Sequence, residues 1–287
     1  MGMTWFVIYL SHFSHASKNT LIGLMKMQFY VYIGLQLNAA TPATPAITTA
    51  QQQQQDNVGP TSLDVHWKAA LSMHDIMHRW PKVTVTATLQ CAGNRRDGLA
   101  AVREVKGVIW KSGAVSTATW SGPRLCDILN DVADIPKEKL HKLLRDYHVS
   151  FEADDHVHED VCYGSSIPFR KVMDPLGDVI LAYEMNGKPL AREHGYPIRV
   201  IVPGYIGARS VKFLQKIVIQ PKESTSFFQR RDYKILDTTI DHTNVEKAWD
   251  SAASLGEMNV QCVICTPSEQ EAIHASNPVT IKGYAIS

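Results

Sequence analysis

The chain has 287 residues, 45% hydrophobic and 20% charged, a make-up that buries a core in one large domain or two smaller ones. Its 29 Lys and Arg against 28 Asp and Glu leave a formal net charge of +1. That balance excludes a global field for nucleic acid or acidic membranes, so any anion chemistry must come from local arginine clusters.

Residues 21–37, LIGLMKMQFYVYIGLQL, are apolar yet carry Lys26, Gln28 and Gln36, and sit at the short limit for a membrane span. No small-residue cleavage site follows. The stretch reads either as a weak targeting or anchoring segment or as an irregular extension. Residues 38–60, rich in Thr, Pro, Ala and Gln, hold too few large apolar groups to fold and read as a linker.

From Leu63 the pattern turns globular. Residues 68–80, KAALSMHDIMHRW, have helical spacing with Met73, Ile76 and Met77 on one side, and Pro81 stops the helix. Val83, Val85, Ala87 and Leu89 then alternate with Thr84, Thr86, Thr88 and Gln90, a half-buried strand. It runs into C-A-G-N-R-R, where Gly93 and Asn94 signal a turn. Further strands are predicted at 147–152, 178–184, 197–203 and 214–220, with weaker helices at 124–132 and 137–145. Tyr183 falls on a strand ahead of a turn at Asn186–Gly187. The interleaving has no regular βαβ rhythm, which favours an α+β fold with a mixed sheet over a doubly wound one. The five cysteines form no disulfide framework, and the single CxxC pair, Cys262 and Cys265, reads as two half-buried strand residues rather than a zinc site. VTIKGYAIS (279–287) reads as a lone terminal strand, the start of a β domain.

Three clusters carry chemistry. Cys91 ends a strand beside Arg95 and Arg96, whose charge favours a thiolate, both nucleophile and soft metal ligand. A plain buried strand-end cysteine fits the same spacing, and both readings stay open on the residues alone. At 192–212, Arg199, Arg209 and Lys212 lie with His194, Ser210 and glycines 204 and 207, a set suited to a phosphate or another oxyanion. D-D-H-V-H-E-D (154–160) alternates carboxylates and imidazoles but reads first as a solvated polar loop.

The ordered set T-L-Q-C-A-G-N-R-R (88–96), A-Y-E-M-N-G (182–187), H-G-Y-P-I-R (194–199), V-P-G-Y-I-G-A-R-S-V-K (202–212) and R-R-D-Y-K (230–234) closely resembles the molybdenum domain of sulfite oxidases, relatives of assimilatory nitrate reductases. The resemblance runs from Leu63 to the last residue. It implies a sulfite-oxidase-type molybdopterin-binding domain over 61–240, the start of an immunoglobulin-like dimerisation domain over 241–287, and an atypical extension and linker over 1–60. By the same resemblance Cys91 is the molybdenum ligand, Arg96 and Trp110 line the substrate pocket, and Tyr233 stands beside the metal oxo groups. Asp155, His194, Arg199, Ser210, Val211 and Lys212 fall where the family contacts the pterin. The implied reaction is oxidation of sulfite to sulfate by oxygen-atom transfer, with molybdenum–molybdopterin as cofactor and a mitochondrial, peroxisomal or cytosolic setting.

Three departures from the family pattern stand out. An expected R-N-H-x-P-x-P segment, source of another substrate arginine, is not found, and its loss is expected to bare a sheet edge. The chain stops just inside the dimerisation domain, so a homodimer would rest on a truncated unit. No haem or flavin signature occurs, so electrons are expected to pass to oxygen or a separate cytochrome. A nitrate-reductase-like module and an inactive cofactor-binding paralogue are the competing readings.

Overall fold

The structure, a computed structural model, describes residues 30–36, 65–133, 135, 137–273 and 279–286. In chain order its strands are β1 (Tyr30–Gln36), β2 (Val65–Ser72), β3 (Val83–Gln90), β4 (Val115–Gly122), β5 (His148–Ala153), β6 (Gly164–Pro168), β7 (Ile180–Ala182), β8 (Glu184–Met185), β9 (Lys188–Pro189), β10 (Arg199–Ile201), β11 (Leu214–Gln220), β12 (Lys234–Ile235), β13 (Ala253–Ser254), β14 (Gln261–Thr266) and β15 (Lys282–Ile286). The helices are α1 (Met73–His78), α2 (Arg96–Ala100), α3 (Leu125–Val132), α4 (Lys137–Asp146), α5 (Phe169–Met173), α6 (Phe227–Arg230) and α7 (Val245–Ala248). The architecture is α+β, built on a mixed central sheet and a separate antiparallel one, as the sequence predicts.

The central sheet has the order β2-β1-β11-β5-β6, with β1 parallel to β11 and every other pair antiparallel. Val149 and Phe151 of β5 and Ile217 and Ile219 of β11 are fully buried in one core with Ile128 and Leu129 of α3 and Phe169 of α5. Helix α5 packs on β5 and β6, and α3 and α4 pack on α5, so the apolar stripe that makes α3 amphipathic faces this core. A second sheet, β3-β4-β8-β9, covers a smaller cluster of Ala87, Trp120, Ile180, Ala182 and Ile201 against the β7–β10 pair. The β8–β9 hairpin turns through Asn186 at φ 51° and Gly187 at φ 74°, the left-handed pair that a two-residue connection requires.

Several local expectations change. Only Met73–His78 of the predicted helix at 68–80 is helical, while 65–72 is strand β2. Ser72 sets the boundary: its Oγ accepts from Asp75 N at 3.2 Å and its own N–H donates to the Asp75 carboxylate at 2.8 Å, a reciprocal cap. Tyr30–Gln36, read as part of an anchor or irregular extension, is a strand laid between β2 and β11. Residues 21–29, 37 and the linker at 38–60 lie outside the described residues. Among the described residues no helix is long and apolar enough to cross a membrane. The terminal strand is not alone, since β15 pairs antiparallel with β14. Cys262 and Cys265 sit on β14 as predicted but are exposed rather than half-buried.

Leu129 of α3 is wholly buried in the main core. Leu129→Ala is expected to lower the unfolding free energy by about 2–5 kcal/mol through the cavity it leaves, with an unchanged denaturant slope in urea titrations.

Candidate functional site

Strand β3 ends with the Cys91 N–H donating to the Ala114 carbonyl at 2.9 Å, one ladder step past the β3–β4 register. The chain then turns tightly: Asn94 N donates to Cys91 O at 3.0 Å and Arg96 N to Gly93 O at 3.0 Å. The Gly93 N–H points back at the Cys91 Sγ at 3.4 Å and fixes the direction of that half-buried sulfur. Arg95 adopts φ 64° in the left-handed region and starts α2, which carries Arg96 in its first turn.

Arg96 is held by backbone rather than by carboxylates. Its guanidinium donates to Val108 O at 2.6 Å. A Cβ added at Gly93 would meet the Arg96 Cζ at 2.5 Å, and one at Gly107, where φ is 99°, would meet its Nη1 at 2.8 Å. Two glycines therefore form the slot in which the planar group lies. The Trp110 carbonyl accepts from Asp97 N at 3.1 Å, so the 107–110 segment is tied to the start of α2, while the Trp110 side chain itself is exposed.

Tyr233 joins this group. Burial pushes its phenol above the ordinary tyrosine range, and the charges of Cys91 and Asp232 add to that, while Arg209 and Arg96 oppose it. At neutral pH the side chain is a protonated hydrogen-bond donor. Its backbone sits at φ 56°, a conformation costly for a bulky residue, and Leu255 N fastens its carbonyl at 2.7 Å.

The second cluster surrounds Arg199, at 6% exposure. Its guanidinium lies over the Trp120 ring at 5.0 Å and donates to the carbonyls of His194 at 3.0 Å and Ser210 at 2.8 Å. The Ser210 Oγ accepts from Val202 N at 3.1 Å, and Val211 O accepts from Val200 N at 2.9 Å, which locks the segment on β10. Lys212 Nζ donates to Glu193 O at 3.0 Å. Burial pushes Arg199 down to about 10, and burial followed by the like charge of Arg199 pushes Lys212 down as well. Two polar atoms here are buried with no protein partner, Arg199 Nε and Asp155 Oδ1. Unpaired buried polar groups are expensive, so a donor and an acceptor left open beside two mutually repelling cations fit an anionic ligand that has both kinds of group. A phosphate-bearing pterin meets that requirement. The two clusters are joined by the 207–212 segment: a Cβ at Gly207 would come within 3.2 Å of the carbonyl oxygen of Gln90, next to Cys91.

Arg209 departs from the sequence grouping. It is fully buried and serves the fold, donating to Leu255 O through Nε at 2.9 Å and Nη2 at 2.6 Å, and through Nη1 to Ser165 Oγ, Phe228 O and the Gln229 side chain. Its face lies 5.8 Å from the centre of the Tyr233 ring. The 154–160 run also contributes structure, since Asp160 Oδ2 accepts from Phe227 N at 2.9 Å. Among the described residues no cluster of three or more His, Cys, Asp or Glu stands ready to hold a metal. Sequence reasoning read Gly93 and Asn94 only as turn residues and passed over Gly107.

Residues 61–228 match the family described as the oxidoreductase molybdopterin binding domain, and residues 242–287 match the Mo-co oxidoreductase dimerisation domain. The chain belongs to this molybdopterin-binding oxidoreductase family, and its cofactor is molybdenum–molybdopterin. Within the family it is similar to mitochondrial sulfite oxidase of Homo sapiens, 44% identical over 258 residues that cover 87% of this chain and 45% of the relative. It is 39% identical over 226 residues to the nitrate reductase of Hordeum vulgare, covering 75% of this chain and 25% of that protein. The solved sulfane dehydrogenase SoxCD of Paracoccus pantotrophus superposes with a TM-score of 0.62 at 25% identity, covering 92% of this chain and 54% of that one. The chain thus spans about half the length of the sulfite oxidase it matches.

The slot around Arg96 gives a structural prediction. Gly93→Ala leaves the backbone in an ordinary conformation but needs the guanidinium to retreat by about 1 Å to reach van der Waals distance. A crystal structure of the variant is expected to show the bond to Val108 O broken in an otherwise unchanged loop.

Proposed function

We propose that this chain is the molybdenum module of an enzyme that oxidises sulfite to sulfate, with residues 61–240 binding the cofactor and 241–287 beginning the dimerisation unit. The observation that supports the reading is the turn in which the Gly93 N–H meets the Cys91 Sγ at 3.4 Å while the same glycine walls the slot of the Arg96 guanidinium. In this reading one sulfur, one fixed guanidinium and one protonated phenol serve a small oxyanion.

Bound cofactor supplies the two-electron oxidation and the oxygen atom that passes to sulfur. Cys91 Sγ holds the metal. Asp155, His194, Arg199, Ser210, Val211 and Lys212 hold the pterin and its phosphate, with Arg199 Nε and Asp155 Oδ1 gaining the partners they lack within the chain. Arg96 binds the anion through the N–H groups not engaged with Val108 O, and charge-assisted contacts of this kind are the strong ones. Tyr233 holds its proton at Oη and donates a hydrogen bond at the reacting edge. Trp110 walls the pocket mouth. Overall, sulfite and water become sulfate with release of two protons and two electrons, and the electrons leave to oxygen or a cytochrome on a separate protein or domain.

Steady-state assays on protein from a molybdopterin-producing host discriminate the readings. Sulfite-dependent ferricyanide reduction is expected, and Arg96→Gln is expected to raise KM for sulfite about tenfold or more, from the loss of one bond to a charged group. Turnover of nitrate without turnover of sulfite would overturn the proposal.

A further inference from the structure

The turn that follows Cys91 is fastened from a distance. The Asn94 side chain, at 6% exposure, uses its amide hydrogens on two residues of the C-terminal pair: Nδ2 donates to Gln261 Oε1 on β14 at 2.8 Å and to Tyr284 Oη on β15 at 2.9 Å. The Tyr284 hydroxyl in turn donates to Ser112 O at 2.7 Å. On the other side Asn94 Oδ1 accepts from Ala114 N at 3.0 Å. Ala114 O accepts from Cys91 N, and Cys91 O accepts from Asn94 N, which closes a ring of three hydrogen bonds through the cysteine backbone. The Ala114 N–H also fixes which end of the amide is oxygen, because the flipped group would face donor to donor. The two units meet across a cleft of about 990 Å³ lined by Asn94, Arg95, Leu99, Lys111, Gln261 and Ile264.

We infer that Asn94 is a positioning residue through which the β14–β15 pair, part of the dimerisation unit, sets the geometry of the Cys91 turn. Asp at this position would keep the acceptor for Ala114 but lose both donors to the C-terminal pair. Ala would lose all three bonds. Neither change touches Cys91 or Arg96 directly. The inference concerns the polypeptide alone and holds whichever anion is oxidised.

The test uses the full chain made in a host without molybdopterin, and follows alkylation of each cysteine by iodoacetamide with peptide mapping. Cys126, at 3% exposure in α3, reports global opening in the same sample. Tyr284→Phe removes a single hydroxyl and is expected to speed Cys91 capture about fivefold, with Asn94→Ala at about tenfold or more. Cys126 capture is expected to stay at the wild-type rate. The double variant is expected to match Asn94→Ala, because both changes break one network. Lys282→Ala, exposed on β15, serves as the control without effect. Unchanged Cys91 rates in both single variants would overturn the inference. So would equal acceleration at Cys126, or effects that multiply in the double variant. Should Asn94→Ala fail to fold, Tyr284→Phe and Gln261→Ala decide the matter by the same rates.

Discussion

The strand end at Cys91 is where backbone pairing hands over to chemistry, and the site depends on that junction. The last ladder bond of β3 with β4 fixes the residue's main chain, and the turn that follows returns the Asn94 N–H to its carbonyl. A sulfur one residue further along would project from the opposite face of the strand, because side chains alternate. The same turn launches α2, so the sulfur and the Arg96 guanidinium are set by one short piece of chain. Positions on a sheet edge with both ladder and turn satisfied are stiffer than positions on a free loop, which suits a ligand that must present one lone pair to a metal.

Three arginines show how environment assigns work to a single residue type. Arg96 lies in a slot of two glycines and keeps part of its donor set open to the pocket. Arg199 is buried against Trp120 with Nε unpaired, so it keeps a donor that the protein does not satisfy. Arg209 is buried deeper still, yet its donors meet Leu255 O, Phe228 O, Ser165 and Gln229, so it joins the body of the fold to the segment carrying Tyr233. Burial alone does not make an arginine a ligand residue. The balance of donors against acceptors already present decides it.

That distinction also marks what the sequence discloses. Strand β3, strand β11 and helix α3 were legible because each follows a period that burial imposes on its own residues. The motifs around Cys91, Arg199 and Tyr233 stood out through their ordered resemblance to the sulfite oxidase family, since spacing alone left a plain buried cysteine open at position 91. What escaped was non-local. Residues 68–72 open the predicted helix at 68–80, but their backbone is claimed by pairing with β1, and no local pattern announces that partner. The same holds for the tie between Asn94 and Tyr284, which lie 190 positions apart. Arg209 was misread because a basic residue among glycines looks alike in sequence whether it faces an oxyanion or a ring of carbonyls.

The central claim is that Cys91 gives a sulfur to a molybdenum held in the cradle of Arg199 and Lys212. Molybdenum K-edge absorption of the purified chain, with metal and pterin counted per polypeptide, tests it most directly. The account predicts close to one molybdenum and one pterin per chain, and a Mo–S shell that loses one sulfur in Cys91→Ser while pterin stays bound. A sulfur shell unchanged by that substitution, or folded protein from a cofactor-competent host carrying neither metal nor pterin, would contradict it.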